Sequence, residues 1–208
     1  METVVRNPWL DILVKPRDTI RGIVQENPKK GLKFLYFLYG LPFALNMAQS
    51  LSLGSHVPVW GIVLGSLVLA MIFGWFGILL ISGLFFVTGK WIRGVATFPQ
   101  VRAAVAWSGV PNIATILMWT LLLIVFGGKV FYKEFAETSF IGHEAGVIFA
   151  VFFVQSIASI WGFVILLQAL GEVQGFSAWK ALLNVIIPFG LLLLITWAIG
   201  HVEAGRTH

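Results

Sequence analysis

Cysteine is absent from this 208-residue chain. That excludes disulfides, thiolate nucleophiles and cysteine-ligated metals, and it leaves the redox compartment unspecified. Charge is scarce: Asp, Glu, Lys and Arg supply 11% of the residues, against about 25% in an ordinary soluble domain. The usual catalytic signatures are missing too. His143-Glu144 opens no zinc motif, because Val147 stands where a second histidine is needed. His56, His201 and His208 are isolated, no Gly-x-Ser-x-Gly elbow occurs, and no loop is built to cradle phosphate. No enzyme, cofactor or metal centre is therefore expected. The basic first thirty residues lack the apolar run and small-residue cleavage site of a secretory leader, so no cleavable leader is read there. The net charge of +5 does not point to nucleic acid, since the basic residues lie beside apolar runs.

What is present is apolar: 58% of the chain, most of it in five long runs with almost no charge. Backbone groups in hydrocarbon have no water to bond, so each run is expected to be a helix. The expected spans are 33–53, 59–88, 103–125, 147–170 and 181–200, with Pro42, Pro111 and Pro188 inside the first, third and fifth. The second, at about 45 Å of helix, exceeds the roughly 30 Å of hydrocarbon. The fold class is therefore all-α: a polytopic membrane protein of five transmembrane helices, occupying 31–202 between an interfacial segment, 1–30, and a short tail, 203–208.

Lysine and arginine orient the set. Eleven lie in the N-terminal segment and the connections holding Lys90, Arg93, Arg102 and Lys180; three, Lys129, Lys133 and Arg206, lie on the other side. The positive-inside rule places the N-terminus in the cytoplasm and the C-terminus outside. Trp9, Trp60, Trp91 and Trp179 fall at expected interfaces. Ahead of the first span, Pro8 and Pro16 each suit the first turn of a short helix. Ile20, Ile23 and Val24 share one face, with Arg17 and Arg21 on another, the pattern of helices lying on the membrane surface.

The second and third runs resemble the fourth and fifth. A helix ends at Gly89-Lys90-Trp91-Ile92-Arg93-Gly94, and Thr97 caps a segment through Phe98, Pro99 and Arg102 into the Pro111 span. In the second copy a helix ends at Gly171-Glu172-Val173-Gln174-Gly175, and Ser177 follows Phe176 toward Lys180 and the Pro188 span. Aligning Phe98 with Phe176 pairs Arg102 with Lys180. This is read as a duplicated hairpin with both loops on the cytoplasmic side.

These residues, with Pro8-Trp9, Pro16-Arg17-Asp18-Thr19-Ile20 and the five-run layout, resemble the Yip domain family of integral membrane proteins. The resemblance implies a cytoplasmic N-terminus and, in eukaryotic members, roles in membrane trafficking with small GTPases. The short N-terminal segment departs from the trafficking members and implies a prokaryotic plasma-membrane protein.

Function is then expected at two places. A cytoplasmic interaction surface would combine Pro16, Arg17, Arg93, Gly94, Phe98, Pro99, Arg102, Glu172, Gly175, Phe176 and Lys180, with Glu172 paired to Arg93 or Arg102. An intramembrane polar set, Asn46, Asn112, Gln155, Ser159 and Asn184, fits interhelical hydrogen bonding or, as the alternative, a cavity for a lipid headgroup or small solute. Gly61 and Gly65 form a Gly-x-x-x-Gly pair on the second run, a dimerisation signal, and Gly74, Gly77 and Gly83 add a small-residue stripe that fits internal packing or a partner. No ionisable group lies near a span centre, which argues against an ion-coupled pump. The expected partners are membrane lipids and a protein partner or second copy, with the chain acting as a scaffold.

Overall fold

A computed structural model describes residues 7–132, 135 and 144–206. Lys133, Glu134, Glu137, His143 and His208 lie outside them. The described residues form helices joined by short turns: α1 (Pro8–Val14), α2 (Pro16–Glu26), α3 (Leu32–Ser50), α4 (Val59–Trp91), α5 (Phe98–Trp107), α6 (Asn112–Phe126), α7 (Ala145–Gln174) and α8 (Ala178–Arg206). Two 3₁₀ turns, Leu53–Ser55 and Gly127–Phe131, close the connections at one end. That end is called the far end here. The other, where the chain starts and the two loops of the repeat lie, is the basic end.

Three segments are long and apolar enough to cross a bilayer: Val59–Trp91, Asn112–Phe131 and Ala145–Gln174. Ala178–Leu194 is a shorter apolar helix. A count of five is therefore not reached on length and apolarity. Helix α3 has the length, at 19 residues, but Lys33, Asn46 and Gln49 dilute it.

The third expected span is not one helix. Residues 98–107 form α5, 108–111 turn, and α6 starts at Asn112. Pro111 lies at the start of α6 rather than inside a helix, where its missing N–H costs nothing. Pro42 and Pro188, by contrast, do lie inside unbroken helices.

Helix α4 buries one narrow stripe, with Ile62, Ser66, Ala70, Gly74, Ile78 and Ser82 recurring every fourth residue. Gly40 and Gly74 let α3 and α4 touch backbone to backbone. A Cβ on Gly40 would strike the Ala70 carbonyl, and one on Gly74 the Tyr36 carbonyl. Small residues at such crossings are how helices gain close packing without a hydrophobic drive in lipid. The other expected small-residue positions act differently. At Gly65, Gly77 and Gly83 a Cβ meets nothing within 4 Å, so these glycines are not part of the crossing.

Helices α1 and α2 pack inward. Ile12, Ile20 and Ile23 are buried in one core with Leu35, Ile78, Trp107, Ile165 and Leu170. The apolar face expected to lie on a membrane surface is thus spent on α5 and α7. Trp9, expected at an interface, packs at a tilt of 44° against Trp107, with ring centroids 4.6 Å apart, and meets Phe34 edge-on at 5.2 Å. Trp60, Trp91 and Trp179 are exposed.

Candidate functional site

The basic end gathers the ends of α4 and α7, the start of α8, all of α5, and α1–α2. It is tied by a few polar side chains in an apolar setting. Helices α4 and α7 stop in the same way. Arg93 takes a left-handed conformation (φ 66°) and the Gly94 N–H reaches back to the Gly89 carbonyl at 2.7 Å. Gly175 does the same (φ 70°), with the Phe176 N–H on the Gly171 carbonyl at 2.7 Å. Both are left-handed caps that satisfy an orphan carbonyl. Each restart carries one half of a capping box, the two halves being reciprocal. Gln100 Oε1 accepts from the Thr97 N–H at 2.8 Å, and Ser177 Oγ accepts from the Lys180 N–H at 3.4 Å. A cation follows each aromatic ring by four residues, Arg102 over Phe98 at 5.9 Å and Lys180 over Phe176 at 4.5 Å.

Gln174 joins the two loops. Its carbonyl accepts from the Val95 N–H at 3.2 Å, its Oε1 from the Ala96 N–H at 3.4 Å, and its Nε2 donates to the Phe85 carbonyl at 3.4 Å. The side chain is 1% exposed and lies against Gly89 and Gly94, where any Cβ would collide with its amide. A buried amide with every group engaged fixes geometry, since leaving one unpaired is expensive in a dry interior.

Beside it, Pro188 lacks the N–H that would bond the Asn184 carbonyl four residues back. Thr88 Oγ1 stands 3.1 Å from that carbonyl, 2.7 Å from Asn184 Oδ1 and 2.9 Å from the Leu84 carbonyl. One hydroxyl proton cannot serve three acceptors. Asn184 is fully buried, and its Nδ2 has no partner among the described residues. Exchanging the two ends of this amide resolves both problems: Nδ2 then donates to Thr88 Oγ1, whose proton is free for a carbonyl.

Glu172 pairs with Arg21, Nε to Oε1 at 2.6 Å, and not with Arg93 or Arg102. The reason is placement. Arg93 sits exposed in the left-handed turn after α4, while α2 packs along α7 and brings Arg21 to Glu172. The hydrogen bond and charge of Glu172 raise the Arg21 guanidinium above its ordinary value. Asp18 adds a weaker contact at 3.5 Å.

Of the residues expected on the interaction surface, Arg93 and Gly175 are exposed. Arg17, Phe98, Pro99, Arg102, Glu172 and Lys180 are half-buried, while Pro16, Gly94 and Phe176 are buried. All stand at the basic end, but three of them support the surface from within. Sequence reasoning missed Gln174, Thr88 and Arg21. Pro188 was the available signal for Thr88: a proline in a buried helix frees a carbonyl four residues back, and a hydroxyl on a neighbouring helix is the natural cover.

The intramembrane polar set does not form one cluster: Pro111 lies against Gly162, which puts Asn112 near the level of Ser159, but Asn46 and Asn184 stand apart. Asn46 donates to the Pro42 carbonyl of its own helix at 2.8 Å and is exposed. The α3–α4 crossing puts Asn46 level with about residue 64 of α4, whereas Asn184 meets Thr88. That separates the two by about 36 Å of helix. Asn112 opens α6, and Gln155 and Ser159 lie midway along α7. At the far end a cavity of about 140 Å³ opens between α3 and α4. Its walls include Ala48, Leu51, Gly61, Ile62 and Phe73, and none of the five expected polar residues lines it.

Comparison with curated proteins and with solved structures finds no match. The sequence model of one family does match, and it covers residues 10–199, from α1 through both loops and the Pro188 helix. The chain belongs to the Yip1 domain family and is a membrane protein of that type.

Proposed function

We propose that this protein is a non-enzymatic membrane scaffold whose basic end, facing the cytoplasm, holds a protein partner. The supporting observation is the join at Gln174. Two loops far apart in sequence are bonded to each other and to the ends of α4 and α7, so they form one rigid pad. The pad presents Arg93, Val95 and Gly175 outward, with Trp91 and Trp179 at its rim. Val95 is 74% exposed and Trp179 76%. Exposed aromatic and apolar groups beside arginine on a preorganised backbone are what protein interfaces use as anchors. The lipid- or solute-handling alternative needs a shared polar cavity, and the dispersal of Asn46 and Asn184 gives it no support. In this reading α3 and α8 also cross the membrane, which places the two chain ends on opposite sides.

The test is site-specific photocrosslinking of the full chain in its native membrane. A photoreactive residue at Val95 and another at Trp179 should each yield an adduct with the same protein. One at Ile124, exposed on α6, should yield lipid adducts. Lipid adducts alone at all three positions would remove the partner-binding reading.

A further inference from the structure

The two flanks of the molecule demand different membrane heights. On one flank stand α1, α2 and the start of α3. Lys15, Lys29, Lys30 and Lys33 are exposed there, with Glu26 beside Lys30 at 2.8 Å, while Arg21 reaches up to Glu172 near the top of α7. Each such ion held in hydrocarbon costs about 2.5–3.5 kcal/mol, so water or headgroups must reach them. On the other flank α4 presents Leu80, Leu84, Val87 and Trp91, between 43% and 63% exposed. Side chains of this size gain about 1.5–3 kcal/mol each when taken out of water, so apolar surroundings must reach them.

The offset can be measured twice. Along the α3–α4 crossing, Gly74 meets Tyr36 and Ala70 meets Gly40, which puts Lys33 level with Gly77. Trp91 lies fourteen residues further up α4, about 21 Å at 1.5 Å per residue. Along α7, Trp161 Nε1 donates to the Leu13 carbonyl at 3.1 Å, which fixes the end of α1. Gln174, bonded to the loop after Trp91, lies thirteen residues higher, about 20 Å. The two agree. A mean helix tilt of about 20° shortens the step only slightly, and it exceeds the roughly 15 Å of hydrocarbon in one leaflet.

We infer that the chain steps the bilayer. On the α4 flank the leaflet keeps its full height up to Trp91. On the α1–α3 flank the α1–α2 hairpin takes the place of acyl chains, and headgroups are drawn down toward Lys29, Lys30 and Lys33. Leu10 and Val14, 63% and 78% exposed and one turn apart, continue the exposed surface of Ile160 and Trp161 and form the floor on which the shortened leaflet rests. The headgroups are anionic, because the exposed cations there outnumber the exposed acids. The ligand is thus a lipid surface, and the result is local thinning of one leaflet beside the N-terminal helices. This does not depend on the partner-binding reading.

The absence of cysteine makes the test direct. Single variants Lys29→Cys, Val14→Cys and Leu84→Cys of the full chain are placed in nanodiscs of phosphatidylcholine and phosphatidylglycerol. All three positions are exposed, and circular dichroism checks the fold of each variant. A membrane-impermeant maleimide should label Lys29→Cys about tenfold or more faster than Leu84→Cys, because hydrocarbon excludes the water the reagent needs. A bimane probe at Val14 and at Leu84 should be quenched by acyl-brominated lipid. A bimane at Lys29 should be quenched more by headgroup-adjacent bromines on phosphatidylglycerol than on phosphatidylcholine. Rapid labelling of Leu84→Cys without lipid quenching would overturn the step, placing a flat bilayer at the lower height with the α4 face free for protein. Protection of Lys29→Cys would overturn it from the other side. Equal quenching by the two lipids would overturn the anionic assignment.

Discussion

Helices α5 and α6 are consecutive, both apolar, and were expected to be one span, yet they are built for different surroundings. Six of the ten residues of α5 are buried, most of them small: Val101, Ala103, Ala104, Val105, Ala106 and Trp107. Three of the fifteen residues of α6 are buried, and Ile113, Leu117, Leu121, Ile124 and Val125 face outward. Apolarity is common to both, but its purpose differs. In α5 it admits α2, α4 and α7 to close contact; in α6 it meets lipid. The turn at 108–111 is where one regime gives way to the other. Ser108 bonds the Val105 carbonyl at 2.7 Å there, and Gly109 packs against the Tyr39 ring.

The strongest way to break this comparison is to enlarge one residue in each helix. Ala104 is fully buried, so Ala104→Leu should overpack the basic end and cost about 1–3 kcal/mol or more. Thr120 is exposed and bonds within its own helix, to the Ile116 carbonyl at 2.9 Å. Thr120→Leu should leave stability unchanged or slightly raise it. Thermal unfolding of the two purified variants in one detergent is the measurement. Equal losses would mean that α6 is as tightly packed by protein as α5.

The next largest effect lies at the Thr88–Asn184 contact, which belongs to the same packed layer. Thr88→Val leaves the Asn184 carbonyl without a donor and should cost about 1–2 kcal/mol. Pro188→Ala restores the N–H that the proline withholds. In a Pro188→Ala background the valine substitution should therefore cost less, and a double-mutant cycle reads the difference. Full additivity would show that Thr88 serves Leu84 or the Asn184 side chain rather than the freed carbonyl.

The helices and the basic end were legible in the sequence because charge is so rare that its clustering marks an end, and because glycine and proline punctuate each loop. The duplicated caps were legible for the same reason, with Gly175 and Ser177 in one copy and Thr97 in the other. Three features were not. The break at 108–111 was hidden because hydropathy scores protein-buried and lipid-facing residues alike. The crossing at Gly40 and Gly74 was hidden because its partners lie on different helices, while the glycines that share α4, Gly77 and Gly83, face open space. The Arg21–Glu172 pair was hidden because it depends on how α2 packs against α7. A surface lying flat on the membrane and a hairpin sunk against a helix have the same amphipathic period.

The smallest effect separates the two copies of the loop. Gly175 adopts its left-handed conformation at no steric cost, but Arg93 holds the matching one against its Cβ. That strain is about 1–2 kcal/mol, and the extra chain entropy a glycine loses on folding is about 0.5–1 kcal/mol. The first exceeds the second, so Arg93→Gly should raise stability by up to about 1 kcal/mol, and Gly175→Ala should lower it by a comparable amount. Denaturation in detergent reads both. Arg93 is exposed, so burial gives the loop little from the arginine. If Arg93→Gly stabilises the chain while weakening crosslinking from Val95, the strained residue is kept for what it touches outside the molecule. If both fall together, the guanidinium holds the loop, and the pad is less rigid than the bonds to Gln174 require.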